Sequence, residues 1–234
     1  MLKKIFNYFG YTFTRFKKST SIDEIIKLRL KYENVDILLD VGANKGEFTN
    51  FFINDFKYYH LFEPNKDLVK ELKLKFYDKN INIYNFGLGI KNEITYLNIT
   101  NDTASTLSSI KKQTAELKNN FRNTNVVYKE KIQIKRTDEF LDSINLHNEK
   151  IFLKIDTQGN DFETLKSIGN YYNNVKFLKI EMPCIKLYET NYDHWDILEF
   201  LKEKNFKPVY FENISRTKKG ELIEYDCFFE KNEI

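Results

Sequence analysis

The chain has 234 residues, 41% hydrophobic and 16% aromatic, enough for one α/β domain with its own core, and few Gly or Pro to break it. Its net charge of +3 is too small to mark a nucleic-acid binder, and no basic stripe interleaved with aromatics runs through its body. Cys184 and Cys227 lack metal-ligand spacing, and no run reaches the ~18 to 20 apolar residues of a membrane span, so no metal is expected and the expected location is the cytoplasm.

Residues 1–34 read as a separate segment. Residues 1–20 hold Lys3, Lys4, Arg15, Lys17 and Lys18 with no acid, giving +5 against −2 for the remainder. Leu2, Ile5, Phe6 and Phe9 fall at helical spacing, with Phe13 and Phe16 following. A basic aromatic helix of this kind offers two readings. One is peripheral contact with the inner face of a membrane; the other is docking onto the domain or onto a second subunit of a homo-oligomer.

The main domain, expected over 35–234, opens with a predicted strand at Ile37–Val41 that runs into Asp40-Val41-Gly42-Ala43-Asn44-Lys45-Gly46. Phe48, Phe51, Phe52 and Phe56 then mark one face of a helix. A second predicted strand, Tyr58–Phe62, closes on Glu63, and Leu68, Leu72 and Phe76 line the helix after Pro64. Strand, glycine-bearing turn, helix and a second strand ending in an acid is how an open α/β sheet binds a nucleoside, the acid accepting both ribose hydroxyls.

A dinucleotide site would need Gly-x-Gly-x-x-Gly, with the pyrophosphate on the helix N-terminus. Here the spacing is Gly42-x-x-x-Gly46, and Asp40 would stand near a pyrophosphate. S-adenosylmethionine, which carries an ammonium and a sulfonium, tolerates that acid. Asp40, Gly42, Ala43 and Asn44 are therefore expected at its amino-acid end, with Asn44 and Lys45 opening the helix, Gly46 with Gly42 letting the backbone approach the cofactor, and Glu63 on the ribose. Glu63 also reads as a capping acid before Pro64. After the third predicted strand, Ile81–Phe86, either Phe86 or Leu88 would pack the adenine and Gly87 would give backbone access, with Phe86 equally readable as core.

Ile94–Ile99 and Val126–Ile134 alternate in polarity and predict an inserted strand pair, with polar 101–125 between them as a lid or plain loop. Strands follow at Ile151–Ile155 and Val175–Glu181, with helix faces at Phe162, Leu165 and Ile168 and at Ile197, Leu198 and Leu201. Lys207–Phe211 and Tyr225–Glu230, joined without a helix pattern, should pair antiparallel. The fold expected is Rossmann-like α/β: a seven-stranded, mostly parallel sheet with helices on both faces and one strand reversed near the edge.

Asp-Val-Gly-Ala-Asn-x-Gly-x-Phe (40–48), Phe-Glu-Pro-Asn (62–65), Leu-Lys-Ile-Asp-Thr-Gln-Gly-Asn-Asp (153–161), Ile-Glu with Leu-Tyr following (180–188) and Asp-x-Phe-Phe (226–229) together resemble the FkbM-type methyltransferases. The resemblance runs from about Asp36 to Phe229. It implies S-adenosylmethionine as cofactor and O-methylation of a sugar or glycan-precursor hydroxyl, in surface polysaccharide modification. Ser105-Thr106-Leu107 resembles a small motif found near the site in that family, which adds Ser105 to the cofactor set. Many members carry Asp-x-Glu-Gly where this chain has Asp156-Thr157-Gln158-Gly159, so no role can rest on an acid at 158.

Transfer to a hydroxyl needs a base. Asp156 at the end of the fourth core strand is the first candidate, followed by Glu181 at the end of the fifth and His194 at a helix start beyond it. Asp156 also reads as a turn or N-cap acid. Two other functions remain open: a methyltransferase-like scaffold without chemistry, and an NAD-dependent oxidoreductase. The intact Asp40, Gly42, Gly46, Glu63 and Asp156 argue against the scaffold, and the glycine spacing argues against the oxidoreductase.

Overall fold

An apolar strand without polar alternation belongs in a sheet covered on both faces, and β1 (Ile37–Val41) is buried along its whole length. The computed structural model describes residues 22–102, 106–146 and 148–232. Around β1 it assembles β2 (Tyr58–Phe62), β3 (Ile81–Tyr84), β7 (Ile151–Ile155), β8 (Val175–Pro183), β9 (Phe206–Arg216) and β10 (Leu222–Lys231). Their order is β3-β2-β1-β7-β8-β10-β9, and β10 alone runs against its neighbours. The hairpin expected between the last two strands is present.

Alternate residues of each strand feed two cores. Ile37, Leu39 and Val41 join Leu153 and Ile180 on one face, under α5 (Thr137–Ser143), α6 (Asp161–Lys166) and α7 (His194–Glu203). Leu38 and Phe152 face the other way, against α1 (Ile22–Glu33), α2 (Glu47–Phe51) and α3 (Lys66–Lys75). Ile26 and Leu30 of α1 are buried there, so residues 22–33 pack with the domain. Residues 1–20, with their expected membrane or docking role, lie outside the described residues.

Three expectations need correction. The third strand stops at Tyr84 because the Asn85 side chain turns back to donate to the carbonyls of Glu63 and Pro64. The phenylalanine helix is only five residues long; Phe52 follows it into the core, while Phe51 stays at the surface. The described part of 101–125 is not a plain loop. It contains α4 (Ala115–Asn120), buries Leu117, and is pinned by bridges from Ser109 to Asn98 and from Gln113 to Tyr188.

The inserted pair is β5 (Glu93–Thr100) antiparallel to β6 (Val126–Arg136), and β4 (Gly87–Gly89) adds a third strand beside β6. Leu97, Ile99, Ile132 and Ile134 form its apolar face.

Candidate active site

At the carboxyl end of β1 the backbone enters the left-handed region at Gly42, Asn44 and Gly46. Gly42 admits no alternative, since a Cβ there would lie 1.8 Å from the carbonyl oxygen of Asp156. The turn opens a cleft of about 760 Å³, part of it open solvent, lined by Gly42, Asn44, Glu63, Gly87, Leu88 and Asp156 among the expected residues. Its lining joins an apolar wall to a few polar groups, as small-molecule sites do.

Glu63 is 5% exposed and its two oxygens accept the amides of Asn44, at 2.9 Å, and Asn65, at 2.8 Å. It does not cap the next helix. Asn65 does, accepting from Asp67 and Leu68. Burial pushes the Glu63 carboxyl up to about 7 against the pull of those two amide bonds.

Beneath the turn lies a charge cluster that sequence reading missed. Lys154 Nζ, on β7, donates to the carbonyl of Gly42 at 2.6 Å and lies 3.1 Å from Asp40 and 3.6 Å from Asp156. Burial opposes the charge on Lys154, but Asp40 and Asp156 more than offset it and raise its pKa. The available signal was a lysine inside Ile151–Ile155, a strand otherwise apolar.

Asp40 is fully buried, held by Lys154 and by the Thr49 hydroxyl at 2.7 Å. It braces the turn from behind, and does not line the cleft as expected. Ala43 packs in the α1–α3 core, and Gly46 lets α2 approach Leu72 and Phe76. Phe86 belongs to the core alternative: its ring packs with Phe62, Tyr84 and Phe140, leaving Leu88 and Gly87 on the cleft wall. Ser105 lies outside the described residues; Thr106 and Ser108 next to it line the cleft.

Asp156 ends β7 with its side chain 43% exposed. The turn that follows is anchored by a different acid. Asp161 accepts the amides of Thr157, at 2.7 Å, and Gly159, at 3.0 Å. Burial and the neighbouring Asp156 carboxylate raise the Asp161 carboxyl to about 6, against those bonds. Glu181 lines a separate small pocket with Asp161 and Glu224, and burial and the surrounding carboxylates push its pKa well up. The His194 ring lies 3.2 Å from the Pro183 carbonyl, at the start of a helix capped by Asp193. Neither Glu181 nor His194 joins Asp156 on the cleft wall. The remaining wall comes largely from the small sheet, through Leu97, Ile132 and Ile134, with Ile110 beside them. The alternation of 94–99 and 126–134 revealed these strands, not where their apolar side would point.

An acid after β2, a glycine turn after β1 and a carboxylate after β7, all at the carboxyl ends of a sheet with β10 reversed, define a Rossmann-like methyltransferase. The model of the methyltransferase FkbM domain matches residues 40–208. The chain belongs to the FkbM methyltransferase family, and its cofactor is S-adenosylmethionine.

Among solved structures, the chain is similar to an rRNA methylase from Streptococcus thermophilus at 11% identity and TM-score 0.49, over 92% of this chain and 99% of that one. It is also similar to precorrin-6y C5,15-methyltransferase from Geobacter metallireducens at 13% identity and TM-score 0.47, over 95% and 94% of the two chains. A putative methyltransferase from Streptococcus mutans in complex with SAH gives 12% identity and TM-score 0.45, over 92% and 100%. No curated protein matches the sequence.

The residues present fit this cofactor. Glu63 offers a buried carboxylate for the ribose, Leu88 and the small-sheet isoleucines offer an apolar wall for the adenine, and Gly42 leaves room for close approach. Glu63→Ala leaves the ribose hydroxyls without charge-assisted acceptors, so cofactor affinity should fall by about 1.5 to 3 kcal/mol in calorimetry.

The raised Glu63 carboxyl sets a pH dependence. The folded state holds this proton above its ordinary 4.5, so the ligand-free protein loses stability from this group as pH rises through about 7. Cofactor binding should tighten over the same rise, because ribose hydroxyls donate best to the ionised carboxylate. Calorimetry on either side of that pH checks this, and Glu63→Gln should lose most of the difference.

Proposed function

We propose that this methyltransferase acts on a hydroxyl of a sugar or glycan precursor, in the modification of a surface polysaccharide. One observation carries the reading: Asp156 brings a solvent-reachable carboxylate to the wall of the cleft, beside Gly42 and above the Lys154 ammonium. A hydroxyl is a weak nucleophile until its proton leaves, and a positioned carboxylate can accept that proton. When bound, S-adenosylmethionine supplies an electrophilic methyl group. Glu63 holds the ribose end, the apolar wall excludes water from the adenine, and Asp156 orients the acceptor hydroxyl and takes its proton. The sugar class is supported by the resemblance to family members that methylate sugar hydroxyls.

Incubation with methyl-labelled S-adenosylmethionine and a panel of nucleotide-sugars and glycan fragments tests the reading. Label on a sugar hydroxyl is expected; label confined to amine or thiol acceptors in a parallel panel would overturn it.

We also infer that residues 1–20 hold the enzyme at an anionic membrane surface, where glycan precursors are assembled. Their +5 charge and helically spaced Leu2, Ile5, Phe6 and Phe9 support this, and no described helix is long and apolar enough to cross a membrane. Full-length protein should co-sediment with vesicles containing anionic lipid, and protein lacking residues 1–20 should not. Equal, negligible binding by both would sink the inference.

A further inference from the structure

The turn after β7 sets a neutral side chain between two acids. Gln158 adopts φ +50, a left-handed conformation that disfavours any residue with a Cβ. Its neighbours hold it there. The Ser109 hydroxyl donates to its carbonyl at 2.5 Å, and Asp161 accepts the amides on either side.

So placed, Gln158 Nε2 donates to Asp156 Oδ1 at 2.9 Å and reaches Glu181 Oε1 at 3.5 Å, while Gln158 Oε1 accepts from the Tyr188 hydroxyl at 2.9 Å. Turning the amide over would set its oxygen against Asp156 and its NH2 against the Tyr188 hydroxyl, so these two partners fix its orientation. Tyr188 is itself buried and bridged through its backbone to Gln113. A glutamate at 158, as in many family members, would place another negative charge against Asp156.

We propose that Gln158 is a positioning residue, whose side-chain amide, braced by Tyr188, orients Asp156 for proton removal from the acceptor. The inference rests on the reading of Asp156 given above. The groups facing this part of the fold are Lys154 on β7, Asp40 on β1, Glu181 on β8, Asp161 on α6, and Glu224 and Asp226 on β10. Burial and the Glu224, Asp156, Asp161 and Asp226 carboxylates push the Glu181 pKa well up. Lys154, at 3.6 Å, and the Gln158 amide, at 2.9 Å, are the cation and the donor that reach the Asp156 carboxyl.

The test uses two variants and two readouts. Gln158→Glu is isosteric. Gln158→Asn suits the left-handed backbone but is one methylene too short to reach Asp156. The first readout, independent of the acceptor, is carbon-detected NMR titration of the Asp156 carboxyl in the full chain. Gln158→Glu should raise its midpoint by about one pH unit or more, as like charges within hydrogen-bond reach do. The second is the pH–rate profile with the sugar acceptor found by the labelling panel. Its acid limb should move up in Gln158→Glu, and Gln158→Asn should lose about tenfold or more in kcat with cofactor affinity near that of the parent. An unmoved Asp156 midpoint in Gln158→Glu overturns the proposal, as does parental kcat in Gln158→Asn. Asp156→Asn run alongside separates the two ideas. If Asp156→Asn is inactive while both Gln158 variants behave as the parent, only the Gln158 role falls; parental turnover in Asp156→Asn removes the reading beneath it.

Discussion

Asp156→Asn should leave a folded protein that binds S-adenosylmethionine yet transfers methyl roughly 10²- to 10⁴-fold more slowly. The substitution nearly preserves shape and removes only the charge. Folding should survive because Asp161, not Asp156, accepts the amides of the Thr157–Gly159 turn. Asp40 still pairs with Lys154 at 3.1 Å, so the buried ammonium keeps a partner. Cofactor binding should survive because Glu63, proposed to hold the ribose, lies at the end of another strand. Thermal melting, calorimetry and labelled-methyl transfer measure the three properties separately. Turnover equal to the parent's would show that Asp156 is not the base.

Lys154→Met should cost about 3–5 kcal/mol of folding stability, because removing one partner of a buried ion pair strands the other. Asp40 is fully buried, and without Lys154 the Thr49 hydroxyl would be its remaining side-chain partner among the described residues. The Gly42 carbonyl would lose its 2.6 Å donor as well, loosening the turn that lines the cleft. A drop in the urea midpoint at unchanged slope is the expected signature. Lys154→Met combined with Asp40→Asn should recover part of the loss, since no uncompensated charge is then buried. A single-variant cost below about 1 kcal/mol would show that the pair does not hold the turn.

The strands β1, β2 and β7 were legible to the residue, because a short, largely apolar run bounded by turn residues has few other ways to fold. The positions of Glu63 and of the glycine turn were legible for the same reason, since both are contiguous with those strands. The phenylalanine helix was misjudged in length: Phe52 and Phe56 keep helical spacing but pack after the helix has ended. Phe86 was readable in two ways because its aromatic neighbours Phe62, Tyr84 and Phe140 come together only after folding.

The sequence by itself therefore determined the sheet, the carboxyl-end placement of Gly42, Glu63 and Asp156, and the family, all set by short-range pattern and contiguous motifs. Tertiary structure alone decided what surrounds them. Lys154 meets Asp40 because parallel strands place the two residues side by side in register. Gln158 meets Tyr188 across a separation of 30 residues, and the small sheet turns Leu97, Ile132 and Ile134 toward the cofactor cleft. A residue's local period says which side of its own strand it occupies. Which charge or apolar surface waits on that side depends on register and packing between distant segments.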